Sequence, residues 1–169
     1  AISRHNLVPD LPDNNFATLN PLEKGSQVNL SEGNLSPTWS DHTGHSVKST
    51  MSCPKTGKWY VEVLAGGMAS IGLVNSTVYS LNNWPGDSPQ GSNSYAITPD
   101  GKKVHGGTAE TFLPLTVRES GNIIKIMFDA SSGILQFGKN SGSMTTAYTS
   151  ISSNFDWFFT IGYWTSGGG

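Results

Sequence analysis

Asp41-His42-Thr43-Gly44-His45 is the first stretch whose residue types could do chemistry. Two imidazoles beside a carboxylate, spaced D-H-x-x-H, are a minimal pattern for a divalent metal. On a loop the same residues more simply make a solvated turn, and that is the reading adopted. His105 stands far off in sequence. A Ser-His-Asp nucleophile would need the fold alone to bring a histidine, a serine and a carboxylate together, and no spacing points that way. Glycoside hydrolysis needs paired carboxylates, about 5–5.5 Å apart for retention or about 6.5–9.5 Å for inversion. The glutamates here (Glu23, Glu32, Glu62, Glu110, Glu119) are isolated, and no E-x-D-x-E run sets two on one strand face. Cys53 is the only cysteine, so no internal disulfide can form, and it reads as a small buried apolar residue. No catalytic residue, bound metal or cofactor is therefore expected.

Binding remains. Aromatic rings on loops offer flat contact area at low entropic cost. The stretch Asn82-Asn83-Trp84-Pro85-Gly86-Asp87 sets one ring among amide and carboxylate groups suited to hydroxyls. The candidate ligand-binding set is Trp84, Asn82, Asn83, Asp87, Tyr79, Tyr95 and Trp39. Trp84 is weighed equally as an exposed ring and as loop packing. Trp59, Phe128, Phe137 and Trp157 are assigned to the core.

The elements that must position these residues are short strands. Ile124, Ile126 and Phe128 share one face at period two, and Leu135 and Phe137 return on one face after the turn Asp129–Gly133. Gly133 supplies the positive φ such a turn uses, and Asp129 caps it with its own side chain. This hairpin is expected in the middle of a sheet. Gln27–Leu30 and Asn34–Trp39 flank a turn at Ser31-Glu32-Gly33, and Ser46–Met51 is a weaker strand. Gly57–Leu64 and Ser70–Val74 are expected to pair across Gly66-Gly67. Tyr79–Ser92 reads as a long loop. Ser94–Ile97 and Lys102–His105 form a further hairpin, and Gly106–Leu113 crosses over. Pro114–Val117 leads into the central hairpin, and Ala147–Ile151 and Phe155–Tyr163 close the series. No helical period lasts ten residues. The spacing predicts an all-β, two-sheet antiparallel sandwich or jelly roll rather than a propeller.

Composition narrows the class of protein. Charged residues make up 13 %, against about 25 % in ordinary domains, and Ser, Thr and Asn number 23, 15 and 13. Such an uncharged polar surface suits a rigid protein outside a cell or in a virion. Net charge is −2 and the cations are scattered, which excludes the basic stripe of a nucleic-acid binder. No apolar run is long enough to span a bilayer as a helix. Residues 1–24, with Pro9, Pro12 and Pro21, read as an extended arm anchored by Phe16 and Leu19, or as an arm packing on a neighbouring subunit. Residues 25–169 are the sandwich. The opening at Ala1 and the close at Gly167-Gly168-Gly169 suggest a piece of a longer polypeptide.

In order along the chain stand Gly57-Lys58-Trp59-Tyr60-Val61-Glu62-Val63, Ile71-Gly72-Leu73, and Ser94-Tyr95 through Gly101 and His105 to Gly107. Asp129, Gly133, Leu135, Phe137, Lys139 and Asn140 follow. This succession resembles a SPRY domain over about two-thirds of the chain. The resemblance implies a concanavalin A-like sandwich, a structural role for Glu62, a structural hydrogen bond at His105, and ligand contact through loops at one end, of which 79–90 is one. Ser141 stands where the family has glycine, so a shifted turn or bulge is expected there. The family's final strand would follow Gly169, and without it a sheet edge would be open.

The segments Asn15–Leu22 and Val28–Leu35 look like the lead-in of SPRY-like modules in bacteriophage tail and structural proteins. The resemblance therefore implies a non-catalytic virion module, of a tail, fibre or capsid-decoration protein, located outside the cell. Its expected partners are other virion subunits in an oligomeric assembly and a host surface glycan or protein, with no nucleic acid and no membrane insertion. The alternatives are a cytoplasmic SPRY adaptor binding a short peptide and, ranked below it, a lectin-like enzyme acting on glycans.

Overall fold

Alternation decides the inner layer. In the strands Ile123–Asp129 (β10) and Ile134–Lys139 (β11), Ile124, Ile126, Phe128, Leu135 and Phe137 are all buried. The structure, a computed structural model, describes residues 16–78, 80–112 and 120–164. β10 and β11 pair antiparallel from Ile124↔Lys139 to Asp129↔Ile134, around Gly133 at φ 66°. Asp129 Oδ1 accepts from the Ser131 and Ser132 amides at 3.1 and 3.2 Å, closing the turn as the sequence predicts. Lys58–Leu64 (β5) lies on the far side of β10, and Thr145–Tyr148 (β12) on the far side of β11. The result is a four-stranded sheet, β12-β11-β10-β5, with the hairpin at its centre. A turn follows β11: Asn140 takes φ 50°, its Oδ1 accepts from the Ile123 amide at 2.8 Å, and Gly142 N donates to Lys139 O.

The facing sheet has seven strands. Its members in chain order are Leu19–Lys24 (β1), Ser46–Cys53 (β4), Ala69–Asn75 (β6), Ser94–Ile97 (β7), Lys102–His105 (β8), Thr108–Thr111 (β9) and Trp157–Tyr163 (β13). Their spatial order is β1-β4-β13-β6-β7-β8-β9. Val28–Ser31 (β2) and Ser36–Trp39 (β3) form a separate hairpin. The main core fills the space between the two large sheets with Ile71, Leu73, Ile97, Ile126, Phe128, Phe137 and Trp157 among others. The all-β sandwich is thus the observed architecture.

The structure corrects several expectations. β5 and β6 do not pair. The Gly66-Gly67 connection carries the chain from one sheet to the other, β5 pairing with β10 and β6 with β13 and β7. Burial shows why: β6 is buried at all seven positions, which only a central strand covered on both faces permits. β5 alternates between exposed and half-buried. The crossover after Gly106 contains β9, paired to β8. The long loop holds a short 3-10 helix, Ser88–Asn93, whose N-cap Asp87 accepts from the Ser88 amide at 2.8 Å. Of the arm, residues 1–15 lie outside the described residues. Leu19–Lys24 is the sheet edge β1, and Phe16 is 60 % exposed rather than anchored. Pro114–Val117 also lies outside the described residues.

Two positions test this packing. A Cβ on Gly72 would sit 1.9 Å from the Tyr95 carbonyl oxygen and 2.6 Å from Ala96 Cα, both on the neighbouring strand. Gly72→Ala is expected to lose upwards of ~3 kcal/mol in urea unfolding, since backbone must move apart at the sandwich centre. Burial pushes the Cys53 thiol up to about 12. The folded chain should resist a thiol reagent at pH 8 and react fully in denaturant. The raised value favours the neutral thiol, so this contribution is intact below the unfolded pKa of about 8.5 and fades as pH rises toward the folded one.

Candidate functional site

The loop 41–45 is organised around one buried ring. His45 is buried, with Nδ1 2.9 Å from Asn82 Oδ1 and Nε2 3.0 Å from Thr43 Oγ1. Asp41 stands 3.6 Å from Nε2. The His42 ring centroid lies 5.0 Å from that of Tyr163. Among the described residues no group of three or more His, Cys, Asp or Glu could hold a metal. The reading of this stretch as a solvated loop is corrected at His45, which ties the loop to Asn82.

Each member of the sequence-derived set has a definite place. Asn82 Oδ1 accepts from the Ser26 amide at 3.0 Å as well as contacting His45, so it joins three loops. Asn83 gives its carbonyl to Ser46 Oγ at 2.8 Å. Trp84 is packed, not exposed: it is 5 % accessible, and its Cδ1 would lie 3.0 Å from a Cβ built on Gly44. Asp87 caps the 3-10 helix, and its carboxyl is pushed up by burial against the opposing pull of the Ser88 amide. Tyr95 stacks on His105 at 4.0 Å and 2° and meets the rings of Tyr148 and Trp157 at 4.9 and 5.5 Å, inside the sandwich. His105 Nδ1 pairs with the Ser94 carbonyl at 2.8 Å, the structural bond expected of it. Tyr79 lies outside the described residues. Trp39 donates Nε1–H to the His45 carbonyl at 2.8 Å and is half-buried, with Tyr163 5.8 Å away. The fold thus gathers Trp39, Asn82 and Trp84 around His45 and its backbone, and leaves Tyr95 in the core.

Sequence reasoning missed a groove of about 560 Å³ that runs along the outer edge of β5. Val61, Val63 and Ile126 form one side, Phe159 and Ile161 of β13 the floor, and Leu35, Pro37 and Trp39 the opposite wall. That volume is typical of ligand-binding clefts, about 300–1,000 Å³. Leu64 and Leu35 on its rim are 73 % and 65 % exposed. Among the described residues, the charged ones lining it are Glu32 and Glu62. Glu62 accepts from Tyr60 Oη at 2.6 Å on the outer face of β5. The trough is lined mainly by apolar side chains. Of the sequence-derived set, Trp39 lines it.

The profile of the SPRY domain matches residues 57–167. Among solved structures, the SPRY domain of human HERC1 is 14 % identical, with a TM-score of 0.66, over 88 % of this chain and 91 % of that one. The PSpry domain of TRIM65 is 16 % identical, with a TM-score of 0.67, over 90 % and 86 %. Stonustoxin is 19 % identical, with a TM-score of 0.61, over 86 % of this chain and 25 % of that one. At these identities the likeness concerns the fold. A search of the curated proteins finds no match.

The polar tie predicts an order of effects. Asn82→Ala strips an acceptor from two groups at once and should cost about 1–2 kcal/mol in thermal or urea unfolding. Trp39→Phe should cost less, because the His45 carbonyl keeps the Tyr163 amide at 2.8 Å. Equal losses from the two changes would contradict the central role given to Asn82.

Proposed function

Because the chain belongs to the SPRY family, whose domains mediate protein–protein interaction, we propose that it is a non-catalytic binding module working through the groove beside β5. The observation that carries this reading is the groove: apolar, open along its length, with Leu35 and Leu64 exposed on the rim and Trp39 in the wall. Contiguous exposed apolar surface of this kind marks a site of association. Trp39 is the contact residue of the sequence-derived set. Asn82, Asn83, Trp84 and Asp87 hold the adjoining loops, and Tyr95 the core. A glycan ligand is less favoured, since the ring on which it leaned, Trp84, is buried.

Within that reading the partners are other chains of a virion, in a tail, fibre or capsid-decoration assembly outside the cell. Support comes from the uncharged polar composition and from the phage-like pattern of 15–22 and 28–35. Mass spectrometry of purified virions should find this chain, and a photo-reactive group at position 35 should cross-link it to another virion protein. Virions lacking the chain would end the virion proposal, and recovery on a short cytoplasmic peptide would replace it with the adaptor reading. Leu35→Asp should shift stability by under about 0.5 kcal/mol, as expected for an exposed position. The same change should weaken the cross-linked association about tenfold or more. An unchanged association would place the binding face elsewhere.

A further inference from the structure

The two large sheets have four edge strands, and three of them are protected. β1 carries Pro21 and an irregular register against β4. β9 is four residues long and fully exposed, with Glu110 in it. β12 is equally short and pairs through a bulge. Native edges are blunted in these ways against unwanted pairing. β5 is different. It holds seven residues in unbroken register with β10, has no proline and no bulge, and has no second ladder among the described residues. Its backbone direction follows from its ends. Gly57 O accepts from Ala130 N, and Ala65 N donates to Asn122 O. Odd-numbered residues therefore face β10, and by alternation the N–H and C=O groups of Lys58, Tyr60, Glu62 and Leu64 face outward along the groove.

We propose that this edge takes one extended segment of a partner chain as an added strand. The groove beneath would receive its alternate side chains. The features select a peptide over other occupants. A row of backbone donors and acceptors is satisfied by another backbone and not by a hydrocarbon. Leu35, Pro37 and Trp39 line the groove across from β5. The partner's inward residues are aliphatic, to match Val61, Val63, Phe159 and Ile161. It carries lysine or arginine beside them, because Glu32 and Glu62 are the charges on the described lining. This inference rests on the binding-module reading and adds to it the mode and chemistry of the partner.

The probe is a seven-residue peptide alternating valine and threonine with a lysine at each end, titrated into the isotopically labelled chain. The amides of Tyr60, Glu62 and Leu64 should shift and gain exchange protection. N-methylation of the peptide's alternate amides should weaken binding about tenfold or more, and replacing its lysines by glutamate should weaken it several-fold. Tyr60→Pro removes one outward N–H without touching the β10 ladder, and should lower affinity while the chain stays folded. Absence of binding, binding indifferent to N-methylation, or full protection of those three amides in the free chain would each overturn the proposal. If position 35 still cross-links to a partner while the β5 amides stay open, strand addition fails and the binding-module reading stands.

Discussion

A mismatch in width governs this molecule. Seven strands face four. The core between them is continuous, and β6, buried along its whole length, is its axis. Past β5, however, the narrower sheet ends while β13 and the wider sheet continue. Phe159 and Ile161 then look into a groove instead of a neighbouring strand. The β2–β3 hairpin limits the gap from the far side without closing it. Burying apolar surface yields roughly 25 cal/mol per Å², so an uncovered strip of inner face is a standing drive toward association.

The polar tie around His45 keeps the gap in shape. Trp39 is fixed by the His45 carbonyl, that carbonyl also receives the Tyr163 amide, and the imidazole is held by Asn82 and Thr43. Lys48 adds a second anchor on the outer face of the wide sheet. Its ammonium donates to the Val78 carbonyl at 2.9 Å, reaches Glu23 at 3.5 Å and lies over the Phe158 ring. The loop residues that look most chemical in the sequence therefore serve as fasteners, and the recognition surface falls to plain aliphatic side chains.

Much of the fold was legible because period-two alternation is local. The central hairpin, the Asp129 cap, the β7–β8 hairpin and the core role of Phe128 and Phe137 all follow from neighbours a few residues apart. The pairing of β5 was not legible, because Gly66-Gly67 reads equally as a hairpin turn or as a crossing between layers. Only the full burial of β6 decides it. Trp84 was misleading for a similar reason: Pro, Gly and Asn around a tryptophan describe a loop, not which way its ring points. The groove left almost no local signal, being made of residues from β1, β3, β4, β5, β6, β10 and β13 and the connections between them. Its one trace was the run Trp59–Leu64, long and regular, with nothing in its sequence to blunt an edge.

Side-chain footprinting of the free chain with hydroxyl radicals tests the central claim most directly. If the four-stranded sheet stops at β5, Phe159 on the groove floor should be labelled markedly faster than Phe128, a β10 ring buried between the two sheets. Equal protection of the two rings would mean that the inner face of the wide sheet is covered throughout, and that the groove does not exist in solution.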